Sequence, residues 1–301
     1  MKGPVGNLGQ RVMSWLVLSQ LAMAASAAAL VFACSRTLDR PISPWWYVAA
    51  ILGTWAVHLR DSAASCDAED SISQPRRANL FRGHLVWSWI LPGLAAAGGA
   101  VSALLAHPSL PTLILLAVVG TLGLLHALPA RASTTETPAK EPSNLGVKRF
   151  AAGKSVVVSI TWAVAAVGLP LLEAGAGLDS TVWRAAIWMI LLLFPVLFAD
   201  SLLLDLRDRI ADRTFGLRTI AVRVGPKGVH ATVGILLGFS ATMILLGGAD
   251  AIDSENWRRL GLASVLGLGL VWFGWRGFRR DEAGVAFAVM SWRFIAALAT
   301  I

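Results

Sequence analysis

Charge is scarce in this chain. Only 15% of its 301 residues are Asp, Glu, Lys or Arg, against about 25% in an ordinary soluble domain. Cysteine is scarcer still: Cys34 and Cys66 are too few for a disulfide framework and lack metal-ligand spacing. A cleavable leader is also missing from the expectation, because Met1–Arg11 is too polar and no cleavage region follows. The first apolar stretch is therefore expected to stay as an anchor. What the chain has instead is apolar surface: 56% hydrophobic residues and a mean hydropathy of +0.65. Such a composition argues against a soluble enzyme, a disordered protein or a nucleic-acid reader.

A helix that crosses a bilayer needs about 20 mostly apolar residues. Nine stretches qualify, at about 12–34, 44–60, 84–106, 109–129, 153–172, 182–204, 229–248, 257–277 and 283–301. The last is the weakest, since Arg293 interrupts it. The expected fold class is thus an all-α membrane protein with nine transmembrane helices and no sheet. With the N-terminus in the cytoplasm, twenty of the 26 basic residues fall on the cytoplasmic side. Five fall opposite: Arg36, Arg40, Arg184, Arg258 and Arg259. This asymmetry follows the positive-inside rule. It accounts for the net charge of +8 without any nucleic-acid partner.

Topology asks only for Lys and Arg on that side, yet acids gather there too. Asp205, Asp208 and Asp212 are spaced i, i+3, i+7, which puts three carboxylates on one helix face. Like charges so stacked repel, so a cation must compensate. Oxygen ligands in an open row suit Mg²⁺, usually completed by substrate phosphate. Arg207, Arg218 and Arg223 stand nearby for the remaining phosphate charge. A second group, Asp61, Asp67, Glu69 and Asp70, follows the second stretch, with Asp61 off the face of the others if the helix runs straight. Asp70 precedes Arg76 by six residues, and Asp212 precedes Arg218 by six. On that register Ala63 and Cys66 stand where the other copy has Asp205 and Asp208. The chain reads as one domain of two pseudo-repeats, about 12–129 and 153–277, with 283–301 left over. Asp200, deeper in its span, either points to a second substrate or pairs within the bundle. Glu173, Asp179, Asp250, Asp253 and Glu255 read as solvated turns on the far side, and 133–142 as a polar loop.

Asp205–Asp212 with Gly216-Leu-Arg-Thr219 and Gly225, and Asp67–Arg77 with its proline, resemble the two Asp-rich motifs of the UbiA superfamily of membrane prenyltransferases. The resemblance covers nearly the whole chain. It implies a helical bundle around a central cavity, where a polyprenyl diphosphate is held through Mg²⁺ on both motifs. A lipid-soluble acceptor, often an aromatic ring, is then prenylated. By this resemblance Asp205, Asp208 and Asp212 bind one metal, and Asp70 is the last acid of the first motif. Arg76 and Arg77 follow its proline, and Lys154 sits where a basic diphosphate contact is placed. The Asn-Asp start and middle Asp of that motif are absent, and Asp67 is expected to take over beside Cys66, since a thiol is a poor Mg²⁺ ligand. The expected location is a bacterial cytoplasmic membrane, with the site on the cytoplasmic side. Two other readings stay open: a terpene cyclase on the same fold, and a transporter or scaffold.

Overall fold

In a computed structural model, residues 8–67, 69–127, 153–173, 180–246, 254–278 and 282–301 are described. The 133–142 loop, the basic residues Arg131, Lys140, Lys148, Arg149, Arg279 and Arg280, and the acids Asp179, Asp250 and Asp253 lie outside them.

Helices run α1 (Leu8–Leu18), α2 (Leu21–Thr37), α3 (Pro44–Ser65), α4 (Glu69–Ser73), α5 (Pro75–Phe81) and, after a π-turn at Val86–Ile90, α6 (Leu91–Leu105). There follow α7 (Leu110–Ala127), α8 (Gly153–Glu173), α9 (Ser180–Thr214), α10 (Ile220–Leu246), α11 (Ser254–Phe278) and α12 (Glu282–Ala299). Among the described residues each of the nine apolar stretches is mainly helical, and no strand occurs. Among the described residues, four helices are long and apolar enough to cross a membrane by themselves: Val86–Leu105, Lys154–Glu173, Ser180–Thr214 and Ile220–Leu246. Three shorter apolar helices accompany them, Leu21–Thr37, Leu110–Leu125 and Gly284–Ala299.

Packing builds the bundle around α9, which lies against α8 and α10, while α12 closes onto α11 and α2. Trp46, Trp257 and Trp292 are wholly buried in one continuous core with Leu192, Leu193 and Val196. α3 meets α6 backbone to backbone: a Cβ on Gly99 would sit 3.2 Å from the Gly53 nitrogen. Small residues permit this approach where lipid supplies no hydrophobic drive between helices. Outward faces carry large apolar side chains, with Leu245 85% and Phe273 81% exposed. In water such faces would be a liability, and against lipid they are the expected surface.

Three breaks interrupt the helices, two of them within expected spans. The first stretch splits into α1 and α2 at Gln20, a non-glycine residue at φ 64°. The Ser19 carbonyl is freed there and accepts the Trp55 indole N–H at 2.7 Å. That bond comes from 36 residues away, so the apolar run alone does not reveal it. The third stretch opens with the π-turn, where the Leu91 N–H reaches back to the Val86 carbonyl. Pro92 follows and has no N–H to continue a regular ladder. α10 breaks at Gly225 (φ 71°, ψ 178°), just before Pro226. Glu173 is also corrected: it is no solvated turn but accepts Trp46 Nε1 at 3.0 Å and the Ser109 N–H at 3.1 Å, tying α3 and the α6–α7 turn to the end of α8.

Candidate active site

α9 is 35 residues long, about 52 Å at 1.5 Å per residue. A hydrocarbon core is about 30 Å thick, so a helix of this length carries its last turns past the membrane edge. Those turns hold Asp205, Asp208 and Asp212. All three line one cavity, together with Asp61, Asp70, Asp200, Arg77, Lys154, Arg207 and Arg293. The i, i+3, i+7 spacing thus does what a helix requires of it. The first-half acids arrive differently. α3 ends at Ser65, the chain turns through Cys66 and Asp67, and α4 starts anew at Glu69. The turn brings both Asp61 and Asp70 to the cavity, which a straight helix would not.

Each motif carboxylate is engaged. Asp70, 3% exposed, accepts Ser65 Oγ at 2.6 Å and Arg77 Nη2 at 2.7 Å. Asp205, 2% exposed, accepts Ser155 Oγ and lies 3.4 Å from Lys154 Nζ. Asp208 takes both Nε and Nη2 of Arg207, at 2.8 and 2.7 Å. Asp212 accepts Thr219 Oγ1 at 3.0 Å. Among the described residues no three His, Cys, Asp or Glu side chains converge as a ready metal site. The donor chemistry nevertheless fits Mg²⁺. Six carboxylates and four cations line the cavity, which leaves two negative charges with His58 neutral. One divalent cation makes up that difference, and every carboxylate offers hard oxygen. To hold it, these side chains must exchange their present donors.

Arg77, Lys154 and Arg207 line the cavity; Arg76 and Arg218 do not. Arg76 is exposed and donates to Ser14 Oγ on α1 at 2.9 Å, and Arg218 is exposed beyond α9. Asp67 also departs from expectation. Its side chain is 78% exposed and pairs with Arg82 at 2.8 Å, outside the cavity lining. Cys66 is buried beside Leu59, Ala78 and Phe81, with its Sγ 3.3 Å from the Ala63 carbonyl. Burial first, then the nearby Asp67 and Asp70, pushes its thiol above the usual range. Cys66 therefore offers neither thiolate nor reach to a metal.

Deeper in the cavity lies a second polar centre. Asp200 on α9 and Arg293 on α12 form an ion pair with 2% and 4% side-chain exposure. Trp292 Nε1 donates to Asp200 Oδ2 at 3.1 Å. Arg293 Nη1 donates to Ser26 Oγ at 3.0 Å, and its guanidinium lies 4.2 Å over the Trp162 ring. Of the aromatic residues in the spans, Trp162 lines the cavity. The sequence reading missed Arg293, Ser155, Thr219 and Gln20. For Arg293 a signal was present: a lone Arg and a lone Asp in apolar spans demand partners. The cavity volume is about 140 Å³, near that of an engineered cavity of about 150 Å³ that takes one benzene ring.

No family model and no curated protein sequence matches the chain. Among solved structures, the apo structure of a UbiA homolog from Aeropyrum pernix K1 is similar, with a TM-score of 0.65 and 16% identity over 93% of this chain and 97% of that one. At that identity the likeness carries the fold. The chain has the UbiA-type all-α fold and is an integral membrane protein.

Proposed function

We propose that this protein is a Mg²⁺-dependent intramembrane prenyltransferase that moves a polyprenyl group from a polyprenyl diphosphate to a lipid-soluble acceptor, in a chain crossing the membrane nine times. One observation carries the reading: a single cavity gathers Asp205, Asp208 and Asp212 of α9, Asp61 and Asp70 of the first half, and the cations Arg77, Lys154 and Arg207. Acids alone would repel a diphosphate and cations alone would need no metal. Both together suit a metal–diphosphate head.

In this reading the carboxylates of α9 and of the first half hold the metal. Mg²⁺, when bound, neutralises charge on the departing diphosphate. Arg77, Lys154 and Arg207 orient the diphosphate oxygens and stabilise the same charge. The allylic C–O bond breaks and its electron pair leaves with the diphosphate. The acceptor forms a bond to the allylic carbon and gives up a proton. Trp162 and the buried aliphatic walls exclude water from the cation. A cavity of about 140 Å³ takes a head group but not a polyprenyl chain, so the chain runs out between helices into lipid. The twenty-to-five basic asymmetry supports a site on the cytoplasmic side, and the membrane proposed is a bacterial inner membrane.

A cyclase is the second reading, favoured by the altered first motif with Ala63 and Cys66 at its acid positions. One experiment separates the two. Purified protein with Mg²⁺ and a prenyl diphosphate is incubated with and without bacterial lipid extract, and products are identified by mass spectrometry. The proposal expects a prenylated lipid that requires the extract. A cyclic hydrocarbon or alcohol without extract would make the protein a cyclase, and no consumption of diphosphate under either condition would remove both.

A further inference from the structure

Three polar groups at the inner end of the cavity are used by nothing in the transfer described above. Gln20 is 6% exposed, lines the cavity and sits in the left-handed region at φ 64°. Its carboxamide makes no hydrogen bond to any described residue. Strain of this kind persists where the surroundings over-determine it, and it gathers at ligand sites. Arg293, also on the lining, has a buried Nε with no acceptor. Asp200 receives Trp292 and Arg293 on the same oxygen, Oδ2. Among the described residues no donor reaches Oδ1. Polar groups on a cavity wall that have no protein partner are met by water or by a ligand.

We infer that Gln20, Asp200 and Arg293 bind the polar head of the second substrate, and that this head is neutral and carries a hydroxyl. The inference rests on the prenyltransferase reading and names its acceptor class. Charge decides between a hydroxyl and an acid. Arg293 is already neutralised by Asp200, and both are nearly sealed from solvent. A carboxylate or phosphate placed there adds an uncompensated charge in a low-dielectric site. A hydroxyl donates to Asp200 Oδ1 and accepts from the Gln20 amide, and adds no charge. Trp162 holds the guanidinium by its face and limits how far Arg293 turns. Asp200 precedes Asp205 by five residues on one helix, about 7.5 Å along its axis. The head therefore sits below the diphosphate end and does not compete with it.

The test uses the full chain in lipid nanodiscs and three matched probes: 4-hexylphenol, 4-hexylanisole and 4-hexylbenzoate. Binding is read as quenching of tryptophan fluorescence. The phenol should bind saturably, and the anisole and benzoate about tenfold or more weaker, the size of a lost hydrogen bond to a charged group. Gln20→Ala, and the double variant Asp200→Asn with Arg293→Gln, should each weaken the phenol about tenfold or more in proteins whose circular dichroism is native. The probe ranking in the unmodified protein stands even where the double variant fails to fold. Equal binding of all three probes, preference for the benzoate, or no saturation by the phenol overturns the inference. So does a folded double variant that binds the phenol as the unmodified protein does. Mg²⁺-dependent binding of geranyl thiodiphosphate, measured alongside, reads the other end of the cavity. Its absence brings down the prenyltransferase reading by a result separate from the phenol series.

Discussion

Burial and partners, at the scale of single residues, separate acids that look alike in the sequence. Asp67 and Asp70 are three apart, yet one is 78% exposed beside Arg82 and the other is sealed against Arg77 and Ser65. Asp67→Asn should leave Mg²⁺-dependent turnover within about twofold, since an exposed ion pair contributes little. Asp70→Asn should lower it on the order of a hundredfold, as for a lost charge-stabilising group in a dry site. Steady-state rates of both variants decide this; equal damage by both would return Asp67 to the site. The reversal from the sequence expectation has a local cause. The chain leaves the helix beside Cys66, which turns Asp67 outward and lets Asp61 take its place on the lining.

At the scale of elements, the two halves share spacings. Asp70 receives a bond from the residue seven positions on, Arg77, and Asp212 from the residue seven positions on, Thr219. Thirteen residues after each acid comes a glycine at φ 71°, Gly83 and Gly225. These matches support the pseudo-repeat register that the six-residue Asp-to-Arg offsets suggest. They also give those offsets a structural meaning, since Arg76 and Arg218 both point away from the cavity. Gly225, at ψ 178°, occupies a region open essentially to glycine alone. Gly225→Ala should therefore destabilise the fold by about 1–3 kcal/mol, read as a lower melting temperature in detergent. An unchanged melting temperature would show that the break before Pro226 is not held as described. The helices themselves were legible, because apolar runs of span length have few alternatives in lipid. The breaks were not: the one at Gln20 depends on Trp55, which no local pattern connects to it.

At the scale of the whole molecule, the charged cavity and the α6–α7 turn define opposite ends. The motif spacing on α9 made the acid-lined half of the cavity readable in advance. Its inner half was not, because Asp200 and Arg293 lie 93 residues apart and meet only when α12 packs on α9. The proposed nine crossings would put Arg218 and His107 on opposite faces of the membrane. In a background lacking Cys34 and Cys66, single cysteines at these two positions should react with a membrane-impermeant maleimide from opposite sides of sealed vesicles. Labelling of both from one side would contradict the topology.

Everything said of the chemistry depends on a diphosphate being bound and released at the α9 acids. The direct measurement is diphosphate release from geranylgeranyl diphosphate by the purified protein with a lipid extract, against Mg²⁺ concentration, for the unmodified chain and for Asp208→Asn. The substitution removes a charge and keeps the volume, so folding should be retained. The account expects release that rises with Mg²⁺, stops on chelation and falls on the order of a hundredfold or more in the variant. Release that ignores Mg²⁺, or a folded Asp208→Asn protein that works at the normal rate, would contradict it.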